Sequence, residues 1–316
     1  MKQMRFCFTS ILIILAVSFS LSTHAADKQK AVLVTGSSSG IGLKITEHLV
    51  KKGFYVYAGA RKQKDLQRLN KMENVSSVKL DVTKQDEIDA AVETIKSQGR
   101  GLFAVVNNAG VGTFTPMSTF PDDDILWIHD VNVMGPHRIN KAFLPLLKES
   151  KGRTTIIGSI SGYVTGASSG AYSMSKFAVE AYTESLADDL KDTGVKVSII
   201  EPGGYRSKIR EKVTLHLLTG KYKLGQNLSD EQKKQLEETK KQNAQLKEPD
   251  EVAEAVITYL TSATPKLRYM VVPNKEQAEV TVKTALSRVV QLNADQPYEY
   301  TKEELVKMLD ELMTKK

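Results

Sequence analysis

Cysteine is nearly absent from this chain of 316 residues: the only one, Cys7, lies close to the start. That excludes a disulfide framework and a cysteine-built zinc site. Histidine is scarce as well, five in all, with no H-E-x-x-H spacing, so metal-dependent hydrolysis has no support. Basic residues exceed acidic ones only mildly, for a net charge of +7. They are interleaved with the acids and form no long block, which argues against a nucleic-acid partner. No repeat at a fixed period is visible. With 41% apolar and 26% charged residues, the composition is globular and excludes disorder, a collagenous repeat and a polytopic membrane protein. The length suits one large domain or two small ones.

Long apolar runs are missing everywhere except at the start. Lys2 and Arg5 precede an apolar stretch from Phe6 to about Leu21, which ends in Ser22-Thr23-His24-Ala25-Ala26. A basic start, an apolar middle and small closing residues make a signal-peptide pattern over 1–26, with a cut after Ala25. Uncut, residues 6–22 are just long enough for a tilted membrane anchor, with the basic flank left in the cytoplasm. The expectation is therefore an exported or membrane-anchored protein. An overextended start is the alternative and would leave it cytoplasmic.

From Lys30 onward, short apolar runs alternate with helical spacing. Ala31–Val34, Phe54–Ala60, Val75–Leu80, Leu102–Val106, Thr154–Ile157 and Val195–Ile200 are the candidate strands, and Lys266–Val272 adds a last one. Helices are expected over Ile41–Lys52, Lys62–Lys71, Lys84–Ser97, a long stretch leading to Ser150, and Gly170–Lys191. Continuous Val/Ile/Leu runs, each followed by a helix, indicate a parallel sheet covered on both faces. The expected fold class is α/β, a doubly wound parallel sheet in a single domain over 27–273. The stretch 207–248 carries ten Lys and Arg against six Asp and Glu, with many Gln and Asn, and suggests a mobile helical insertion beyond the sheet. Residues 274–316 suggest a C-terminal helical extension.

Thr35-Gly36-Ser37-Ser38-Ser39-Gly40-Ile41-Gly42 links the first strand to the first helix. Glycines there allow a tight turn and close approach of the backbone to a pyrophosphate, which the helix N-terminus also attracts. By itself such a turn is also compatible with no ligand. At the end of the second strand Ala60 fills the position where an acid would bond the ribose of NAD, and Arg61 follows it. Guanidinium matches phosphate in a bidentate way, so NADP(H) is favoured over NAD(H). Arg61 and Lys62 also fit the solvated start of a helix.

Tyr172 and Lys176 share a helix face through their i, i+4 spacing. Free tyrosine titrates near pH ~10, and an adjacent ammonium favours the phenolate. Ser159 closes the strand Thr154–Gly158 and should face the same crevice, at the carboxyl ends of the strands. His129 and His137 are expected to be satisfied helix residues, and Trp127 a packing residue.

Together these motifs resemble the short-chain dehydrogenase/reductase family, a Rossmann fold. The matching positions are Thr35–Gly42, Asp81-Val82, Asn107-Asn108-Ala109-Gly110, Asn132 within Val131–Gly135, Ser159, Tyr172/Lys176 and Pro202-Gly203, in family order over about residues 30–210. Pro265–Tyr269 is similar to the branch of 17β-hydroxysteroid and retinol dehydrogenases. The resemblance implies Tyr172 as general acid/base and Lys176 as the residue that lowers its pKa and bonds the nicotinamide ribose. It implies that Ser159 polarises the substrate oxygen and that Asn132 holds a relay water. Gly36, Ser38, Ser39, Gly40, Ile41, Gly42 and Arg61 would meet the adenosine and phosphates, Asp81 and Val82 the adenine, and Asn108, Ala109 and Gly110 the adenosine side. Pro202, Gly203 and Ser207 would lie by the nicotinamide. Ser207 stands where the family commonly has threonine, and the glycine turn lacks a basic residue.

The resulting expectation is an NADP(H)-dependent oxidoreductase acting on an apolar alcohol, ketone or aldehyde of steroid, retinoid or acyl type. The insertion at 207–248 would wall and cover its pocket. The family implies a homodimer or homotetramer. The alternatives are a nucleotide-sugar epimerase on the same fold, which would show G-x-x-G-x-x-G, and a nicotinamide sensor without catalysis, which needs no tuned acid/base.

Overall fold

The computed structural model describes residues 29–220 and 228–314. The N-terminal segment 1–26, and with it the expected signal, anchor and membrane contact through 6–22, lies outside the described residues. Seven strands form one parallel sheet: β1 (Ala31–Val34), β2 (Tyr55–Ala60), β3 (Val75–Lys79), β4 (Ala104–Asn107), β5 (Arg153–Ile157), β6 (Lys196–Pro202) and β7 (Arg268–Val271). Their order is β3-β2-β1-β4-β5-β6-β7, and every neighbouring pair is parallel. The chain thus winds outward from β1 in both directions, and the order reverses between β1 and β4. Such a reversal opens a crevice beyond the carboxyl ends of the strands.

Helices α1 (Gly40–Lys51), α2 (Gln63–Leu69), α3 (Gln85–Ser97), α4 (Asp122–His129), α5 (Gly135–Glu149), α6 (Gly170–Asp189) and α9 (Asp250–Thr261) cover the two faces. Successive strand residues point to opposite faces. Accordingly Ala31, Leu33, Tyr57 and Val105 join a core with Ile88, Ile139 and Phe143. Val32, Val34, Val56, Ala58 and Val106 join another with Ile45, Leu49, Val252 and Val256. Both faces are buried at the centre of the sheet, which is why β1 and Ala104–Val106 of β4 are continuously apolar and show no alternation.

The stretch leading to Ser150 is not one helix. Asp130–Met134 forms a π-helical turn between α4 and α5, and such turns are often found at functional sites. Here it carries Asn132. The insertion after β6, expected to be helical, is helical where it is described. Its described parts form α7 (Lys208–Thr219) and α8 (Asp230–Ala244). Ser229 and Gln232 cap α8 reciprocally. Side-chain bonds then lock the pair: Thr214 to Thr239 at 3.0 Å, and Asn243 Nδ2 to Glu211 Oε1 at 3.4 Å. From its other side α7 holds α4 through His216 Nε2 and Asp124 Oδ2, 2.8 Å apart. Trp127 packs as expected, stacked on His216 at 5.6 Å.

The C-terminal extension consists of α10 (Lys275–Asn293) and α11 (Lys302–Thr314). Helix α10 is seated on the domain by Arg288, whose guanidinium lies 4.6 Å from the centre of the Phe177 ring, and by Gln277 at the cleft. No described helix is long and apolar enough to cross a membrane.

Candidate active site

A cleft of about 520 Å³ crosses the carboxyl ends of the strands. Its floor begins at the glycine turn. Gly36 and Gly40 take φ values of +70° and +58°, a left-handed region that glycine occupies without penalty. A Cβ on Gly36 would stand 3.0 Å from Ala109 Cα. The turn is pinned to the loop after β4: Thr35 Oγ1 accepts from the backbone of Asn108 and of Ala109, each at 3.0 Å, and Asn108 Nδ2 donates to Thr35 O at 2.9 Å. Asn107 points instead into the core, toward Asn140 Oδ1 at 3.0 Å. The N-cap of α1, Ser39, makes no side-chain capping bond, and the first turn holds no acid. The helix therefore presents uncapped N–H groups and the positive end of its dipole to the cleft, a fit for a phosphate.

At the β2 and β3 end stand Arg61, Asp81 and Val82. Arg61 Nη1 lies 3.5 Å from Asp81 Oδ2, with more than half of its side chain exposed. Burial works to raise the Asp81 pKa, but donors from the Thr83 backbone and hydroxyl and the Arg61 charge outweigh it. The carboxyl accordingly sits below its ordinary value. Val82 packs against Gly135, where a Cβ would come within 2.7 Å of Val82 Cγ2.

The β5 and β6 end carries Ser159, Tyr172 and Lys176. Ser159 Oγ accepts from Ser161 N at 3.1 Å and donates to Pro202 O at 3.5 Å. The ring of Tyr172 lies against the Gly112 backbone, where a Cβ would be 3.0 Å from Cδ2. Phe114 meets the same ring edge-on at 6.4 Å. Lys176 is buried, donates from Nζ to Ile157 O at 2.9 Å, and stands 5.5 Å from the centre of the Tyr172 ring. Burial pushes the Tyr172 phenol up to about 12, and the neighbouring Ser159 hydroxyl only partly offsets it. Burial also lowers Lys176 to about 8, while the Glu180 charge pulls the other way. Without a ligand, desolvation thus overrides the lowering of Tyr172 that its helical pairing with Lys176 predicts. Behind Lys176, Glu180 and Glu201 face Arg268 Nε at 3.2 and 3.5 Å. Glu201 is pushed up to about 8, first by burial and then by the Glu180 charge.

Nearly all residues singled out from the sequence line this one cleft: Gly36, Ser38, Ser39, Ile41, Gly42, Arg61, Asp81, Val82, Asn108, Ala109, Gly110, Ser159, Tyr172, Lys176, Pro202, Gly203 and Ser207. Two do not. Gly40 faces the N-terminus of α7, where a Cβ would be 3.5 Å from Ser207 Cα. Asn132 sits one layer behind the wall. Its Oδ1 accepts from Val111 N at 2.8 Å, and its Nδ2 donates to Val111 O at 2.9 Å and to Ser175 Oγ at 3.0 Å. His129 is also not the satisfied helix residue expected: among the described residues its buried Nε2 has no hydrogen-bond partner, and burial lowers its pKa.

Sequence reasoning missed Gly204, Arg210, Lys212 and Gln277, all of which reach the cleft. Gln277 is tied in by accepting from Gly204 N at 2.7 Å. The only signal for the two cations was the basic texture of the insertion. Nothing in the sequence signalled Gln277, which arrives from α10. Among the described residues no cluster of His, Cys, Asp and Glu could hold a metal ion.

The chain matches the short chain dehydrogenase family over residues 30–217. It belongs to that family. The family's oxidoreductases act on CH–OH groups, and the seven-stranded parallel sheet is their fold. The chain is 37% identical over 187 residues to the uncharacterized oxidoreductase YbbO of Escherichia coli K12, an overlap of 58% of this chain and 69% of that one. It is 39% identical over 193 residues to estradiol 17-beta-dehydrogenase 2 of Mus musculus, covering 57% of this chain and 49% of the mouse enzyme. The match therefore spans only about half the length of that relative, though it lies in the branch anticipated from Pro265–Tyr269. A crystal structure of a short-chain dehydrogenase from Streptomyces avermitilis superposes with a TM-score of 0.68 at 26% identity, over 84% of this chain and 96% of that one.

Proposed function

We propose that this short-chain dehydrogenase uses NADP(H) in preference to NAD(H) to interconvert an alcohol and a carbonyl on an apolar substrate, with Tyr172 as the acid/base. The observation that carries the reading is the meeting of the Tyr172 phenol, the Ser159 hydroxyl and the buried Lys176 ammonium on one wall of the cleft. The other wall suits a dinucleotide: an uncapped helix N-terminus at Ser39, a left-handed glycine turn, and the Arg61 guanidinium. A bound nicotinamide dinucleotide supplies or accepts the hydride.

The chain's own groups do the rest. Ser159 holds the substrate oxygen, and Tyr172 moves a proton to or from it. At a pKa of about 12 the phenol is protonated at neutral pH, so it can donate as a carbonyl is reduced. Lys176, charged below about pH 8, stabilises the phenolate that this donation leaves behind. Asn132 keeps the Val111 backbone in place in the loop after β4 and so fixes the cleft wall beside Tyr172. Phe114, Val111, Ile160 and Val213 give the cleft an apolar lining, which favours a steroid-, retinoid- or acyl-like substrate. Described parts of the insertion, through α7, form its cover.

The test is single-turnover reduction of a panel of apolar ketones and aldehydes with NADPH. Turnover of at least one by wild type and by Ser159→Thr, with none by Tyr172→Phe, is the expected pattern. Undiminished turnover by Tyr172→Phe removes Tyr172 as the proton donor.

A further inference from the structure

Helix α7 brings three cations to the cleft wall: Lys208, Arg210 and Lys212. Lys208 is paired, with Nζ 3.2 Å from Glu211 Oε1. Arg210 extends toward Gly204, at the end of the cleft that holds Tyr172: its Nη2 would be 3.8 Å from a Cβ on Gly204. Lys212 differs from both. It is partly buried, and among the described residues no carboxylate lies within ion-pair distance of it. Its surroundings oppose its charge, first through burial and then through the cations of Arg61 and Lys62, while Asp65 and Glu211 offset only part of this. Both of those acids have cations of their own, Arg68 at 3.8 Å and Lys208 at 3.2 Å.

Arg61 and Lys62 close β2, whereas Lys212 descends from the insertion more than a hundred residues later. Two cations from separate elements, Arg61 and Lys212, therefore line the same cleft, with Lys62 next to Arg61 in the chain. The acid there, Asp81, is already held by Arg61 and by Thr83. Like charges held together next to a cavity repel one another, and an anion entering between them removes that repulsion. A phosphate monoester is close to a dianion at neutral pH and accepts charge-assisted hydrogen bonds from both guanidinium and ammonium.

We propose that Lys212 is a specificity-determining residue, which together with Arg61 grips the 2′-phosphate of NADP(H). The inference rests on the NADP(H) reading and adds to it that the covering helix itself reads the phosphate. A helix fixed to α4 through His216 and to α8 through Asn243 then presents its lysine to the cofactor as a preorganised contact, not as a flexible arm.

The experiment compares full-length wild type, Lys212→Met, Lys212→Arg and Arg61→Ala. Each is titrated with NADPH, NADH, 2′,5′-ADP and 5′-AMP, and binding is read by calorimetry. Loss of one charge-assisted phosphate contact corresponds to about a tenfold rise in Kd. Lys212→Met should show that rise for NADPH and 2′,5′-ADP, with NADH and 5′-AMP within about twofold, and Lys212→Arg should recover most of it. A similar loss for all four ligands would assign Lys212 a general structural role and overturn the proposal. So would an unchanged NADPH affinity in Lys212→Met while Arg61→Ala loses it; that outcome leaves the NADP(H) reading standing. A wild type that binds NADH as tightly as NADPH, and 5′-AMP as tightly as 2′,5′-ADP, overturns both.

Discussion

The two ends of the cleft are built on opposite physical terms. At one end Tyr172 and Lys176 are packed by α6, the Gly112 backbone and β5, and burial moves both away from their ordinary pKa values, the tyrosine up and the lysine down. At the other, Arg61 lies more than half exposed and Lys212 is only partly covered. Water and salt screen charges at that second end, so each is worth little singly and the site depends on their number. The proposed chemistry therefore sits where desolvation makes proton affinity sensitive to every neighbour. On the proposed reading, recognition of the nucleotide sits where several weak contacts add up.

The sharpest way to break this contrast is to remove the phenol. Tyr172→Phe should lower turnover by a factor of about 10³, within the range for a lost general acid, while the Kd for NADPH stays within about twofold. Stopped-flow reduction together with fluorescence titration checks both halves. A matching loss of cofactor affinity would mean that Tyr172 belongs to the binding apparatus and that the two ends are not separable.

Next in size is the pH response of the buried end. A phenol at about 12 is in its donating form throughout the neutral range, and Lys176 holds its charge only below about pH 8. Carbonyl reduction should thus be flat from pH 6 to 7.5 and fall by up to about tenfold per unit above pH 8. Alcohol oxidation needs the phenolate and should climb over the same interval. Profiles of kcat/KM in both directions decide this, and a reduction rate that rises with pH contradicts the assignment.

The exposed end should respond to salt. Arg61→Ala is expected to weaken NADPH about tenfold at low ionic strength, leaving NADH nearly unaffected. The difference should shrink as salt is raised from 0.05 to 0.5 M, because screening acts first on exposed charges. Equal losses for the two cofactors would sink the 2′-phosphate assignment.

How much of this was legible beforehand follows the same divide. Residues whose placement depends on local pattern were readable: the glycine turn from its place between an apolar run and a helix, Tyr172 and Lys176 from one helical turn, Ser159 from a strand end. All three come together because parallel strands bring their carboxyl ends to one crevice. Residues that act through tertiary packing were not. Lys212 and Gln277 reach the cleft only because α7 and α10 fold back over it, and no periodicity encodes that return. The π-helical turn at Asp130–Met134 was equally invisible, since a single turn is too short to leave a period of its own. The direction of the Tyr172 pKa depends on packing in the same way. Sequence spacing shows the neighbouring lysine but not the depth of burial, and here burial is the larger effect.

The smallest expected effect concerns stability and follows from that burial. Lys176 has a folded pKa near 8 against its ordinary 10.5, so the unfolded chain binds its proton more tightly than the folded one. Below pH 8 both states carry the charge and the fold bears the full penalty of burying it. Between pH 8 and 10.5 the folded state sheds the proton and the penalty disappears. Lys176→Met removes the ammonium and keeps similar bulk, at the loss of the bond to Ile157 O. Melting temperature should therefore rise by about 2–4 °C at pH 7, and the gain should vanish by pH 10.5 while turnover is lost at every pH. Thermal scans at the two pH values test the sign. A variant that melts lower at pH 7 would show that the carbonyl bond outweighs the desolvation, and that Lys176 holds its place as a structural donor, not as a strained charge.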